Sequence, residues 1–232
     1  MSFFGVTEEN LRELISIALS KGGEYADLFF EHSVINELTL RDGEVNAAGT
    51  HIDYGVGIRV VKGEKTGYAY SEITTMPLMR KAALTAAQIA EETTASLQIP
   101  AEIKLLQTEN LYPIGKGWDD YTIEHKIPHL QNLNSKIFSK DSRIVKVIIR
   151  MSDSVCDVMM YNSLGELTYE TRPMGSVTVT AVFQQNGKTE NRSVSRSFRT
   201  GAELIGPALM NELAEDVVKG IDERFEAIRP KG

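Results

Sequence analysis

Residues 52–72, Ile-Asp-Tyr-Gly-Val-Gly-Ile-Arg-Val-Val-Lys-Gly-Glu-Lys-Thr-Gly-Tyr-Ala-Tyr-Ser-Glu, constrain the fold more than any other stretch. Val56, Ile58, Val60 and Val61 gather on a first strand, Lys62-Gly63-Glu64-Lys65 makes a tight turn, and a second strand carries Tyr68 and Tyr70 on one face by the two-residue period. Gly55, Gly57 and Gly67 weaken a strand and belong where a bulge forms or another backbone comes close. Two readings are open. In one, the glycines only relieve twist and the tyrosines pack inward. In the other, a surface kept low by glycine and flanked by tyrosines receives an extended peptide.

The flanking sequence sets this hairpin between helices. Thr7 is an N-cap, with Glu8 and Glu9 favouring the positive end of the helix dipole. Leu11, Leu14, Ile15, Ala18 and Leu19 then recur at helical spacing until Gly22-Gly23. Residues 26–32 and 34–41 read as strands, and Asp42-Gly43 is a hairpin signal before Glu44. A second helix is predicted from about Pro77 to Glu92. Residues 93–118, with Pro100 and a Tyr-Pro-Ile-Gly-Lys-Gly-Trp run, read as an ordered connection without regular elements.

The plan then repeats. A helix is predicted over about 119–139, and strands over 142–151, 155–162, 166–172, 176–185 and 189–197. Turns fall at 162–165, 173–175 and Asn186-Gly187, and a last helix begins near Pro207. The fold class is α+β: antiparallel sheets flanked by helices, in a helix–strands–helix plan used twice. Residues 1–98 form the first unit, 99–118 the connecting loop, 119–228 the second unit, and 229–232 a linker.

Composition bounds the function. The 42% hydrophobic and 25% charged content is that of an ordinary globular protein. A net charge of −7 argues against direct nucleic-acid binding, which calls for a basic face. The lone Cys156 excludes an internal disulfide framework and suits a reducing cytoplasm. The amino terminus lacks signal-peptide features, and no apolar run is long enough to span a membrane.

Little of the sequence reads as catalytic. His125 and His129 stand four apart beside Glu124, a spacing that suits one-sided metal binding on a helix. Pro128 between them places the pair at a helix start, with the proline in the first turn and no third ligand cluster nearby. Arg192, Arg196 and Arg199 alternate with Ser193, Ser195 and Ser197, either as a solvated sheet face or as a groove for an acidic partner. There is no Gly-x-Ser-x-Gly elbow. Gly63-Glu64-Lys65-Thr66-Gly67 lacks phosphate-loop spacing.

Gly-Val-Gly-Ile-Arg-Val (55–60) followed by Gly-Glu-Lys-Thr-Gly-Tyr-Ala-Tyr (63–70) resembles the N-terminal domain of the TldD/PmbA family, described as modulators of DNA gyrase and as zinc metallopeptidases. Tyr25-Ala-Asp-Leu-Phe-Phe-Glu31, Leu40-Arg-Asp-Gly-Glu-Val45 and Gly165-Glu-Leu-Thr-Tyr-Glu-Thr-Arg-Pro173 fit it too. The resemblance covers nearly the whole chain, is specific over 25–92, and is closer to the TldD branch. In that branch a His-Glu-x-x-x-His motif holds zinc. None of His32, His51, His125 and His129 is followed by glutamate. The resemblance therefore implies the substrate-cradling, subunit-contacting N-terminal part of a cytoplasmic zinc metallopeptidase that cleaves unfolded or modified peptides. The catalytic domain and its zinc would lie beyond Gly232, and residues 1–232 alone would be inactive.

By the same resemblance the intact protein is a homodimer, or a heterodimer with a PmbA-like subunit. Gly55, Gly57, Arg59, Gly67, Tyr68 and Tyr70 are the expected contacts to an extended peptide substrate. The alternatives are a non-catalytic peptide-binding or adaptor module, and a PmbA-like partner subunit without zinc.

Overall fold

Thr7 closes the amino end of α1 (Glu8–Leu19): its hydroxyl accepts the Asn10 N–H, and the Asn10 side chain accepts the Thr7 N–H. Such a reciprocal cap satisfies two of the donors that a helix start leaves open. The five apolar residues of the helical pattern are all buried. The computed structural model describes residues 1–90, 102–107 and 109–227. It continues with β1 (Tyr25–Arg41), β2 (Glu44–Lys62), β3 (Lys65–Ser71), α2 (Met76–Ala87), β4 (Lys104–Leu105), α3 (Ile123–Lys140) and β5 (Ile144–Asn162). β6 (Glu166–Gln185), β7 (Lys188–Phe198), α4 (Pro207–Val218) and α5 (Ile221–Glu226) complete it. The strands form one sheet in the order β3-β2-β1-β5-β6-β4, with β7 also paired to β6. The class is α+β, with helices flanking an antiparallel sheet, as the periodicities predict.

Three strands are each one element where the sequence suggests two. The stretches 26–32 and 34–41 are one strand, β1; 142–151 and 155–162 merge into β5; 166–172 and 176–185 merge into β6. The polar middles, such as Ser152–Asp157, read as breaks because each strand is apolar at its two ends, which enter different cores. The expected turn at 173–175 is strand as well. β6 pairs with β4 at Glu166 and Leu167 and with β7 from Gly175 onward, so Pro173 falls in an intervening, edge-like stretch where a missing N–H is tolerated. β4 adds a two-residue parallel pairing inside the region expected to be loop. The predicted helix end at Glu92, Pro100 and the 229–232 linker lie outside the described residues.

Two compact units each combine three chain segments. The first takes residues 1–34, 52–110 and 156–172. Its core joins Leu11, Leu14 and Ile15 of α1 to Leu28, Phe30, Ile58, Met79 and Tyr161. The Arg80 guanidinium binds both Glu13 oxygens, at 2.5 and 3.0 Å, and ties α2 to α1.

The second unit takes residues 35–51, 111–155 and 173–232, with a core of Leu130, Leu133, Val147, Val179, Phe183 and Leu213 among others. Trp118 is a core residue there: its indole N–H donates to the Thr200 carbonyl at 3.1 Å and its ring stacks on Phe198. Two charged groups are also buried in this unit. Lys126 Nζ donates to Asp153 Oδ2 at 2.6 Å, and the Asn36 amide donates to Asp153 Oδ1 at 3.0 Å. Nearby, Glu203 joins two loop segments: its carboxylate accepts from the Lys116 and Gly201 N–H groups and from the Thr200 hydroxyl. Partial burial works to raise its pKa. Hydrogen bonds from Thr200 and from backbone N–H groups outweigh that and pull it down to about 2.

Replacing one member of the buried pair leaves the other charged and unpartnered. Lys126→Met should cost about 3–5 kcal/mol in urea denaturation, and Lys126→Met/Asp153→Leu should recover most of it. Glu203 stabilises the fold fully above its ordinary range near 4.5, and that contribution is lost as pH falls through about 2. Glu203→Gln should therefore lower the melting temperature at pH 7, with the difference from wild type vanishing near pH 2.

Candidate functional site

The β2–β3 hairpin pairs Val60 with Gly67, Arg59 with Tyr68, Ile58 with Ala69, Gly57 with Tyr70 and Val56 with Ser71. Alternation sends Val56, Ile58 and Val60 into the core and leaves Gly57, Arg59, Tyr68 and Tyr70 on the opposite face. Tyr68 and Tyr70 are 63% and 69% exposed, which overturns the reading in which they pack inward. The core volume on the inner face is already filled by β2 and α2.

Each glycine of this region has a steric reason. A Cβ on Gly67 would lie 2.1 Å from the Ala86 carbonyl oxygen and 2.6 Å from Ile89, so α2 and the turn after it rest on bare backbone. A Cβ on Gly57 would meet the Tyr68 hydroxyl at 2.6 Å, because that ring leans over it from the neighbouring strand. Gly55 has φ +155° and would place a Cβ 2.5 Å from the Ser71 carbonyl oxygen, at the point where β3 leaves β2. Arg59 has a partner within the sheet: its Nε donates to Asp27 Oδ2 at 2.9 Å, and a second nitrogen reaches the same oxygen. Asp27 is buried, and hydrogen bonding to it raises the Arg59 pKa further.

β3 is an outer strand of the sheet. Along it runs a groove of about 470 Å³, walled by Tyr68, Ala69, Tyr70 and Ser71 on one side and by Leu78, Lys81, Ala82 and Thr85 of α2 on the other. An outer strand presents backbone donors and acceptors in a row. Here a helix stands alongside that row and offers an apolar side chain and an ammonium group. The arrangement can take a strand in extended form, with alternate side chains meeting α2 and the tyrosines.

The other sequence candidates do not form a site. α3 begins at Ile123, upstream of the histidines, so Pro128 lies in its second turn and not in its first. His125 and His129 flank the Tyr121 ring, at 5.7 and 6.1 Å between centroids. Among the described residues, no three His, Cys, Asp or Glu side chains converge as metal ligands. These residues do not fit a zinc centre. Arg196 reaches Glu212 and Asp216 of α4, and Arg192 donates to the Asp216 carbonyl, so these β7 arginines pair with a helix of this chain. Cys156 lies 3.5 Å from a Glu31 oxygen, and burial raises its thiol pKa. No described helix is long and apolar enough to cross a membrane.

Fold and sequence together define a metallopeptidase-family chain. Residues 26–90 match PmbA/TldA metallopeptidase domain 1, and residues 116–224 match the PmbA/TldA metallopeptidase central domain. The chain belongs to the PmbA/TldD family. It is 28% identical over 196 residues to a metalloprotease TldD homologue of Haemophilus influenzae, covering 84% of this chain and 41% of that protein. With a Buchnera aphidicola TldD homologue it shares 25% identity over 179 residues, 76% of this chain and 36% of the relative. The chain thus spans about two fifths of the length of the curated relatives it matches.

Among solved structures, a Bacteroides thetaiotaomicron protein described as a candidate modulator of DNA gyrase superposes with a TM-score of 0.71 at 14% identity, over 91% of this chain and 50% of that one. TldE from Thermococcus kodakarensis gives 0.64 at 15%, over 92% and 47%. At such identities the likeness is one of fold.

The helix packed on Gly67 has no room to yield, because the obstructing atom is backbone. Gly67→Ala should destabilise the protein by about 1–3 kcal/mol. Tyr70→Ala should stay within about 0.5 kcal/mol of wild type in the same denaturation series, since the ring is exposed.

Proposed function

We propose that this chain holds an extended peptide substrate and contacts a second subunit within a zinc metallopeptidase of the PmbA/TldD family that cleaves unfolded or modified peptides in the cytoplasm. The observation that carries the reading is the groove between outer strand β3 and α2, with Tyr68 and Tyr70 exposed along it. Backbone pairing with β3 accepts many sequences because it reads the main chain. Tyr68 and Tyr70 supply large contact surfaces at low entropic cost, and Leu78 takes an apolar side chain. Gly67 and Gly57 keep the strand low, Gly55 turns β3 away from β2, and Arg59, through Asp27, fixes β2 against β1 and so holds β3 in line.

The zinc is assigned to sequence other than these residues, consistent with a chain that matches about two fifths of its TldD relatives. The division into 1–98, 99–118 and 119–228, with 229–232 as a linker, follows the order of the two family matches at 26–90 and 116–224, while each compact core also draws on segments of the other stretch.

The test is titration of purified residues 1–232 with an unstructured peptide, read by fluorescence anisotropy. Tyr68→Ala/Tyr70→Ala and Leu78→Asp should each weaken binding roughly tenfold or more, about 1.4 kcal/mol, without lowering the melting temperature. Equal affinity in both variants would contradict the proposal. So would chelator-sensitive peptide hydrolysis by residues 1–232 alone.

A further inference from the structure

α2 runs back along β3: it begins at Met76, soon after β3 ends at Ser71, and Ala86 near its far end packs on Gly67. The groove between them therefore has a direction. Leu78 lies toward the Ser71 end, Thr85 lies toward Tyr68, and Lys81 stands between. Of the side chains that line the groove, Lys81 alone carries a charge. Its neighbour in sequence, Arg80, is held by Glu13 of α1. Lys81 is exposed, and among the described residues its ammonium has no ion-pair partner. Two hydroxyls of the groove are engaged within the chain: Thr85 donates to the Lys81 carbonyl at 2.9 Å, and Ser71 to the Ile73 carbonyl at 2.7 Å. In a chain of net charge −7, this is a local positive site with no carboxylate in its walls.

We infer that the groove selects extended peptides carrying an aspartate or glutamate two residues from an apolar side chain, with the carboxylate paired to Lys81 and the apolar group seated on Leu78. This rests on the peptide-holding part of the proposed function and names the substrate class of that site.

The spacing follows from the geometry of the two elements. Leu78 and Lys81 are one helical turn apart, a rise of about 4.5 Å along α2. Same-face side chains of an extended guest recur every ~6.7 Å, and the flexible four-carbon stem of a lysine spans the difference. Successive same-face residues of the guest therefore meet Leu78 and Lys81 in turn. Charge sets the order. Glu72 is exposed one residue past Ser71, so the Leu78 end of the groove disfavours an acid and the carboxylate belongs toward Tyr68. A glutamine at that position meets the ammonium without a charge, and a lysine is repelled by it. Lys81 is solvated, so the preference has the size of a surface ion pair: the groove still accepts many sequences and favours acidic ones.

The test is anisotropy titration of residues 1–232 with four unstructured peptides, each carrying an uncharged dye at its amino end. Three have an amidated carboxyl end and a leucine followed two residues later by glutamate, glutamine or lysine. The fourth has glutamine there and a free terminal carboxylate. At about 50 mM salt the glutamate peptide should bind roughly three- to fivefold tighter than the glutamine peptide, and about tenfold tighter than the lysine peptide. The preference should shrink in about 0.5 M salt. It should disappear in Lys81→Gln and turn toward the lysine peptide in Lys81→Glu, with melting temperatures unchanged. Equal affinity of the wild-type chain for the glutamate and glutamine peptides overturns the inference, and that comparison needs no variant. So does a glutamate preference that persists in Lys81→Gln. Tighter binding of the free-carboxylate peptide than of the glutamate peptide also overturns it, by assigning Lys81 to a chain end. Binding of all four peptides without discrimination leaves the peptide-holding reading standing and removes only this one. If none of the four binds, both fall.

Discussion

The contact between α2 and the backbone of β3 at Gly67 is the constraint on which the rest of the hairpin depends. With the Ala86 carbonyl 2.1 Å from where a side chain would begin, the helix lies as close to the strand as two main chains allow. That closeness makes the space beyond β3 a groove with a wall. It also explains why Met79, Ala82, Ala83 and Ala86, mostly small residues, form the buried face of α2. A larger residue at any of these positions would push the wall away from the strand.

The two faces of the hairpin divide the labour. The inner face, through Ile58 and Val60, belongs to the core of the first unit and makes the hairpin rigid. The outer face carries little except the tyrosines, Gly57 and the Arg59–Asp27 pair. Side chains there are free of packing duties and can meet a guest at small cost to stability. A stiff outer strand keeps its backbone groups aligned in advance, which would lower the ordering cost of the proposed association. This physical logic links the glycines of the sequence to the proposed peptide-holding role.

Much of this was readable from local signals. The Thr7 cap, the helical repeat of Leu11–Leu19 and the turns at Asp42-Gly43 and Asn186-Gly187 all depend on neighbouring residues. Asp42 and Asn186 take the positive φ that such turns demand. The close approach at Gly67 was likewise implied by a glycine in a strand. What local signals could not reveal were partners far along the chain: Asp27 for Arg59, Asp153 for Lys126, and Glu212 for Arg196. An alternating pattern does not say which face is inward, so it leaves the exposure of Tyr68 and Tyr70 open. A polar middle resembles a turn when the two cores on which the ends pack are unseen, so local signals divide each long strand in two. His125 and His129 had metal-like spacing, yet only the structure places both against the Tyr121 ring.

Amide hydrogen exchange of residues 1–232 with and without a saturating unstructured peptide tests the central claim most directly. The account predicts that amides of Lys65–Ser71 gain protection on peptide addition, alternating along the strand as those pointing to the open edge become bonded. Protection confined to other strands, with β3 exchanging as it does in the free protein, would contradict it.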